Sequence, residues 1–508
     1  MEDEIELKLN INCKDASRLR KHLAIMNASI SRPSTNKLVN FYFDTPELKL
    51  LDAGISLRLR RMSGCWTQLI KTVGNPLAGL HKRTEWESPV LTGHPDFTKI
   101  IHPNLIKLFT DKKQRDALRP IFKTEVQRSI WQLSFDNGDQ VELALDIGKL
   151  EAGEYHELIC EVALELKSGN IGRLFDIGLE LQTIIPLTIN NSSKAERGYA
   201  YYRFDAPSAI KAQLPILSKN TDGYSAFKQI ISECINHLQH NQGLVLNAAD
   251  IEGLHQMRVA LRRMRSAFTM FKKIVCSKKS VAIIAELKWI NETLGKARDI
   301  DVFVTQTLPA IIEKSEDNAG LLKLREKALT AQLKASKEVK TAISSQRYHR
   351  FLLTLLAWLE NERWCANIKH RKNYQILDIA KATLKKYHKL LLRQADNLVY
   401  MDSAERHLVR IAAKKMRYAA EFFASLYPAR KSHEFINNLS KLQDQLGVLN
   451  DISITEKLLR KVISHEIDPA LEKASHILNK WNARNVAHNL AHVDKTWHAF
   501  TLKEPFWH

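Results

Sequence analysis

Glu4-Ile5-Glu6-Leu7-Lys8-Leu9 alternates charged and apolar residues. In a strand every second side chain leaves the same face, so Glu4, Glu6 and Lys8 project together and Ile5, Leu7 and Leu9 project the other way. A single strand of this kind ordinarily keeps its charges in water. Here the alternation recurs across residues 1–167, at Ser56–Arg61, Thr67–Lys71, Lys82–Glu87, Lys123–Leu133, Val141–Leu145 and Ile159–Leu166. Turn signals such as Asn137-Gly138 fall between these runs. Strands at this spacing, with few helices among them, predict an antiparallel barrel or sandwich. Residues Leu91–Arg119 break the pattern and read as a small helical insertion, and Leu174–Ile185 reads as a helix after the last strand.

The charges fall in same-face sets: Arg58 with Arg60, Arg83 with Glu85 and Glu87, Lys123 with Glu125, Glu142 with Asp146, and Glu161 with Glu165. Arg128 has the opposite parity to Lys123 and Glu125. A closed barrel lines its interior from one face of every strand. If the charged faces point inward, they make a polar tunnel of mixed charge. Clustered carboxylates repel, and at about 4 Å with an effective dielectric of about 20 each pair costs roughly 4 kcal/mol. A divalent cation offsets that repulsion, and Mg²⁺ prefers carboxylate oxygens together with substrate phosphates. Arginines and lysines on opposing strands would hold the phosphates, arginine in bidentate fashion. Such a site suits metal-assisted phosphoryl hydrolysis.

Glu4-Ile-Glu6-Leu-Lys8 resembles the ExExK signature of CYTH domains, the triphosphate tunnel metalloenzymes. Phe41-Tyr-Phe-Asp44-Thr45-Pro46, Leu57-Arg58-Leu-Arg60, Leu69-Ile-Lys71 and Ser193-Lys194-Ala-Glu-Arg197-Gly198-Tyr199 fit the same family in the same order, over about residues 1–203. The resemblance implies an eight-stranded antiparallel tunnel and Mg²⁺- or Mn²⁺-dependent cleavage of tripolyphosphate to pyrophosphate and phosphate. It implies that Glu4, Glu6 and Glu165 hold the metal, with Asp146 and Glu161 assisting or positioning the attacking water. It assigns phosphate binding to Lys8, Arg58, Arg60, Lys71, Arg83, Arg128, Lys194 and Arg197. The family's last acidic strand often carries Glu at three alternating positions, which here read Glu161, Ala163 and Glu165. Ala163 cannot ligate a metal or orient water, so a lowered turnover or a shifted metal requirement is expected. A nucleoside or thiamine triphosphate as substrate, adenylate cyclase chemistry, and non-catalytic polyphosphate binding remain open at this level.

From Tyr224 onward the period changes to 3.6, in long Leu-, Ala-, Lys- and Arg-rich segments. Pro207 and Pro215, with Gly223 after them, mark a linker over residues 206–222. The expected architecture is α+β, a tunnel domain over 1–205 and an all-helical domain over 223–508. Of the net charge of +20, residues 1–205 contribute only +1, from 28 basic against 27 acidic residues, so the excess lies in the second half. An excess of this size implies an anionic partner.

That half repeats itself. His255-Gln-Met-Arg258-Val-Ala-Leu-Arg262-Arg263-Met-Arg265 matches His407-Leu-Val-Arg410-Ile-Ala-Ala-Lys414-Lys415-Met-Arg417. In the same register Leu294-Gly295-Lys-Ala-Arg298-Asp299-Ile300 matches Leu446-Gly447-Val-Leu-Asn450-Asp451-Ile452. Two pseudo-symmetric helical bundles are expected. His255, Arg258, Arg262 and Arg265 share one helix face, as do His407, Arg410, Lys414 and Arg417. Stacked like charges destabilise a helix unless an anion or an acidic partner such as Asp299 or Asp451 compensates. The half resembles the CHAD domain, and a phosphate chain lying along the stripes is the expected ligand. Nucleic acid is the rival, disfavoured because the stripes lack interleaved aromatics for stacking bases. Neither histidine has an obvious second metal ligand beside it.

The composition, 44% apolar and 26% charged, is that of a globular chain, and 508 residues exceed a single core. The six cysteines form no CxxC pair and point to a reducing compartment. The start, MEDEIELKLN, is acidic and strand-like rather than a secretory signal. No run approaches the roughly 18 apolar residues of a membrane span. A cytoplasmic protein with no membrane partner is expected.

Overall fold

The computed structural model of the chain describes residues 2–23, 29–72, 74, 77–203, 208–315, 318–361, 374–463 and 468–507. The chain divides into two compact units, Met1–Pro207 with Ser344–Trp364, and Ser208–Ile343 with Cys365–His508.

Eight long strands build the first unit: β1 (Glu2–Ile11), β2 (Ser34–Asp44), β3 (Ile55–Met62), β4 (Cys65–Thr72), β5 (Leu80–Val90), β6 (Arg119–Ser134), β7 (Gln140–Ala152) and β8 (Tyr155–Ser168). Every pairing is antiparallel, in the order β1-β5-β4-β3-β2-β6-β7-β8. The last strand returns to the first through Glu6 opposite Glu165 and Lys8 opposite Ala163, which closes the barrel. This is the α+β, eight-stranded antiparallel fold that the family resemblance implies. Strand β2 escaped the reading of alternation because apolar side chains leave both its faces. Leu38, Asn40 and Tyr42 line the interior, while Phe41 and Phe43 join an apolar cluster outside.

The barrel is polar within and apolar without along much of its length. Leu57, Leu59 and Ile70 face outward into a cluster with Leu105 and Phe109 of the helical insertion. Burying that outer face against helices forces the alternate, charged positions inward. Lys123 and Glu125 are the exception, since their face of β6 looks outward, where they pair with Glu151 and Lys37. The opposite parity of Arg128 is therefore what carries it into the barrel.

Two helices follow, α1 (Gly172–Leu181) and α2 (Lys194–Arg203). Helix α2 stops one end of the barrel. Tyr42 stacks on Phe122 at 4.4 Å, and Tyr199 of α2 meets Phe122 edge-on at 5.3 Å. Gly198 permits this approach, since a Cβ there would lie 2.2 Å from the Phe122 ring.

Beyond these, the long helices among the described residues are α3 (Gly223–Ala248), α4 (Ile251–Met270), α5 (Lys278–Val302), α6 (Ala319–Ile343), α7 (Gln346–Glu360), α8 (Ile376–Gln394), α9 (Ser403–Phe423), α10 (Ala429–Ile463) and α11 (Pro469–Thr501). All but α7 belong to the second unit, and the sequence repeat falls on α4–α5 and α9–α10. Asp222, Asp250 and Asp402 cap α3, α4 and α9 by accepting from free N–H groups of the first turn, and Glu405 completes a capping box on α9.

The stretch read as a linker is largely part of the helical unit. Residues 204–207 lie outside the described residues. Beyond them, Ile210 exchanges two hydrogen bonds with the Asn241 side chain, and the Leu217 N–H donates to Ser425 Oγ at 2.8 Å. Among the described residues no helix is long and apolar enough to cross a membrane.

Candidate active site and polyanion pocket

Glu4, Glu6, Lys8, Arg58, Arg60, Lys71, Arg83, Arg128, Asp146, Glu165 and Lys194 line one cavity of about 810 Å³ inside the barrel. The strands bring these residues together from seven of the eight staves and from α2. Asn40, Tyr42, Ser56, Glu142 and Ser193 line it too, and the sequence reading gave none of them a site role. Glu142 was within reach of that reading, as it shares a face with Asp146. Asn40, Ser56 and Ser193 carry no charge and so gave no signal.

Glu161 and Arg197 lie behind the cavity wall. Glu161 is 1% exposed and ion-pairs with Lys194, with Arg197 at 3.0 Å, and accepts from Asn190 Nδ2 at 3.3 Å. Asp146, equally buried, accepts from Arg128 through both oxygens at 2.7 Å and from Lys194 at 2.7 Å. Burial opposes the charge of Asp146, but Lys194 and Arg128 outweigh it and hold the carboxyl well below the usual range. Glu161 is lowered in the same way, by Lys194, Lys8 and Arg197 against burial. Both acids thus stay ionised and have their oxygens committed to cations.

On the acidic side, Glu4 pairs with Lys71 at 2.6 Å, Glu6 with Lys8 at 2.7 Å, and Glu165 with Lys167 at 2.6 Å. Lys71 also reaches Glu85 at 3.0 Å. Among the described residues no group of three or more histidine, cysteine or acidic side chains is gathered as a metal cage. The donor chemistry nevertheless fits a hard cation. Glu6 and Glu142 both stand opposite Glu165 in the strand register. Burial raises the Glu165 carboxyl, and repulsion from Glu4 and Glu142 adds to it despite Lys167. Three adjacent strands thus place repelling carboxylates on one wall.

The basic side keeps unfilled donors, although Arg58 lies 3.8 Å from Glu85 and Arg83 lies 3.3 Å from Glu196. Repulsion from Arg58, then burial, then Arg128 pushes Arg60 down to about 10. Among the described residues Arg60 finds one hydrogen-bond acceptor, the Asn40 side-chain oxygen at 3.4 Å. Arg58 Nη2 and Arg83 Nε are buried with no hydrogen-bond partner. Such donors are costly to bury unless a ligand completes them. Ala163 sits on the cavity wall beside Lys8 and opposite Ala144, so the missing acid leaves a small apolar gap there.

In the helical unit both stripes meet. His255 and Arg262 of α4 and Arg410, Lys414 and Arg417 of α9 line one open pocket of about 1570 Å³. Arg258 sits beside it, 3.2 Å from Asp299. Arg265 and His407 are exposed and stand outside this lining, His407 against Asn450 at 2.9 Å. Burial, then Arg410, Arg262 and Arg258, pushes the Lys414 ammonium down to about 6. Burial also lowers Arg258 and Arg410, although Asp299 and Asp451 oppose it. His255 is pushed down to about 4, first by burial and then by Arg298. Arg263, from the same repeat block, also lines this pocket but is buried, ion-paired with Glu421 and placed over the Phe422 ring at 5.0 Å.

A closed barrel with its charges inside, followed by tandem basic helices, defines a two-domain class, and the family comparisons agree with it. The CYTH domain matches residues 2–199 and the CHAD domain matches residues 229–460. The chain is a CYTH domain joined to a CHAD domain.

Over 200 residues it is 34% identical to an inorganic triphosphatase of Haemophilus influenzae, covering 39% of this chain and 55% of that protein. It is 30% identical over 174 residues to an uncharacterised protein of Mycobacterium tuberculosis, covering 33% of this chain and 34% of that one. The chain thus spans about half the length, or less, of these curated relatives. The crystal structure of a CHAD domain from the plant Ricinus communis superposes with a TM-score of 0.51 at 30% identity, covering 58% of this chain and 98% of that chain.

Proposed function

We propose that the barrel is a metal-dependent hydrolase of inorganic triphosphate, releasing pyrophosphate and phosphate, and that the helical pocket binds inorganic polyphosphate. The observation that carries the first part is one cavity lined by both Arg58, Arg60 and Arg83, whose buried Arg58 Nη2 and Arg83 Nε have no hydrogen-bond partner, and by the carboxylates of Glu4, Glu6, Glu142 and Glu165. Arg58, Arg60, Lys71, Lys8, Arg83 and Arg128 bind the phosphates. Lys194 closes the end of the row, and Asp146 and Glu161 act by fixing Arg128, Lys194 and Arg197 in place. The similarity to an inorganic triphosphatase supports this reading.

Mg²⁺ or Mn²⁺ would be held by Glu4, Glu6 and Glu165, with Glu142 beside them. When bound, the ion relieves the carboxylate repulsion and draws charge from the phosphate oxygens. An inorganic chain suits the cavity better than a nucleotide, because its one aromatic ring, Tyr42, is already stacked on Phe122. A second carrying observation, the Arg262, Arg410, Lys414 and Arg417 pocket, supports polyphosphate in the helical unit over nucleic acid, since its one aromatic side chain, Tyr418, is 8% exposed.

The test is phosphate release from tripolyphosphate, ATP and thiamine triphosphate by the full chain, with Mg²⁺ or Mn²⁺ and with chelator. Metal-dependent release, fastest from tripolyphosphate, is expected. No turnover of any triphosphate in the presence of metal refutes the enzyme. Tighter binding of RNA than of polyphosphate of equal charge refutes the second assignment.

A further inference from the structure

The short strand Leu187–Ile189 pairs along one edge with β1, with Leu9 opposite Ile189 and Ile11 opposite Leu187. Its other edge is covered by α7, a helix that the chain reaches only between the two repeats of its helical half. The Leu187 N–H donates to Gln346 Oε1 at 3.0 Å, and the Ile189 N–H donates to His349 Nδ1 at 3.3 Å. His349 is 3% exposed, and burial pushes it down to about 4, so its ring is neutral and Nδ1 is free to accept. Gln182, just past α1, also donates to Gln346 Oε1 at 3.0 Å. The outer face of β1 is covered in the same place: a Cβ on Gly178 would sit 3.5 Å from Leu7 and Leu9 and 3.7 Å from Leu353 of α7.

The residue after this strand, Asn190, reaches three parts of the tunnel wall. Its N–H donates to the Lys8 carbonyl at 3.0 Å, its carbonyl accepts from His81 Nε2 at 3.3 Å, and its Nδ2 donates to Glu161 at 3.3 Å. His81 Nδ1 in turn accepts from Arg83 Nη2 at 3.0 Å, and Glu161 holds Lys194.

We propose that α7 is a working part of the tunnel unit, in which Gln346 and His349 are positioning residues that set Leu187–Ile189, and through Asn190 align Lys8, Arg83 and Lys194. An edge N–H left unpaired in this buried place is costly, and the two side chains remove that cost only with the strand in its present register. The proposal rests on the reading of the barrel as the hydrolytic site.

The test uses the full chain with His349→Ala, His349→Asn and Gln346→Ala. For each, kcat and KM for tripolyphosphate, thermal midpoint, polyphosphate binding, and hydrogen exchange of amides 187–190 are measured. His349→Ala is expected to speed exchange at Ile189 and Asn190 and to lower kcat/KM about tenfold, the worth of one buried hydrogen bond, with polyphosphate binding unchanged. His349→Asn offers Oδ1 where Nδ1 stood and is expected to recover most of the loss, which keeps the test readable if the alanine variant does not fold. Equal loss in the alanine and asparagine variants, or a lower midpoint with kcat and KM unchanged, overturns the proposal. If the unsubstituted chain hydrolyses no triphosphate, the proposed function falls, and unchanged exchange at 187–190 in His349→Ala then overturns the role of α7 separately.

Discussion

Replacing Lys414 by methionine is expected to stabilise the free protein while weakening its hold on a polyanion. Lys414 lies in the α4–α9 pocket, where burial and then Arg410, Arg262 and Arg258 hold its ammonium near 6. In the unfolded chain a lysine titrates at about 10.4. Between these values the unfolded state binds a proton that the folded state does not, so stability rises with pH across that window. The penalty is complete below about pH 6 and fades towards pH 10. At about 1.36 kcal/mol per pK interval the ceiling is about 6 kcal/mol. Water at the pocket mouth screens much of it, so a gain of about 1–3 kcal/mol for Lys414→Met at pH 6 is expected, shrinking by pH 9. On the proposed reading, bound polyphosphate would restore the charge on Lys414, so the unsubstituted chain should take up a proton on binding and its affinity should fall from pH 6 to pH 8. The methionine variant should lose that dependence and show a salt slope shallower by about 0.7–0.9. Denaturant midpoints at the two pH values, with polyphosphate titrations at several salt concentrations, decide the matter. A variant less stable than the parent at pH 6, or one with an unchanged pH dependence of binding, refutes the reasoning.

Arg60→Ala removes a cation that makes no close ion pair among the described residues, although Glu87 and Glu85 act on it from further away. It should raise KM for tripolyphosphate by about tenfold or more, the worth of a charged hydrogen bond, without lowering the thermal midpoint; a clear drop in the midpoint would show a structural ion pair instead. Lys194→Ala leaves Asp146 and Glu161 buried beside each other without their shared cation. A loss of about 3–5 kcal/mol in denaturant unfolding is expected, and a loss below 1 kcal/mol would contradict the assignment. Asp146, Glu161 and Glu6 are all held below the ordinary carboxyl range. Their contribution is whole at neutral pH and should disappear as pH falls below about 4, visible as acid unfolding of the barrel that Asp146→Asn makes shallower. Ala163→Glu sets a third acid beside Lys8, and turnover with Mg²⁺ should rise; unchanged turnover would show that this position does not limit the reaction.

The alternation of charged and apolar residues marked an antiparallel barrel or sandwich and grouped most of the lining residues on common strand faces, because a period of two ties each side chain to one face; the family resemblance made it a tunnel. The period of 3.6, the internal repeat and the charge excess likewise marked out the helical half and its two basic stripes. Alternation alone could not say which face was inside. Lys123 and Glu125 obey it and face out, while Arg128 breaks their parity and faces in, since only the packing of the outer apolar face orients a strand. Nor could it show that Glu161 and Arg197 stand behind the wall, or that Asn40 and Ser193 belong to it, because uncharged residues leave no mark in a charge pattern. The place of α7 was the least legible of all. Gln346 and His349 are ordinary residues of an amphipathic helix in the sequence, and their meaning comes from two edge N–H groups of a strand some 160 residues earlier. Contacts that depend on closing so long a loop have no local signature, and tertiary structure alone decides them.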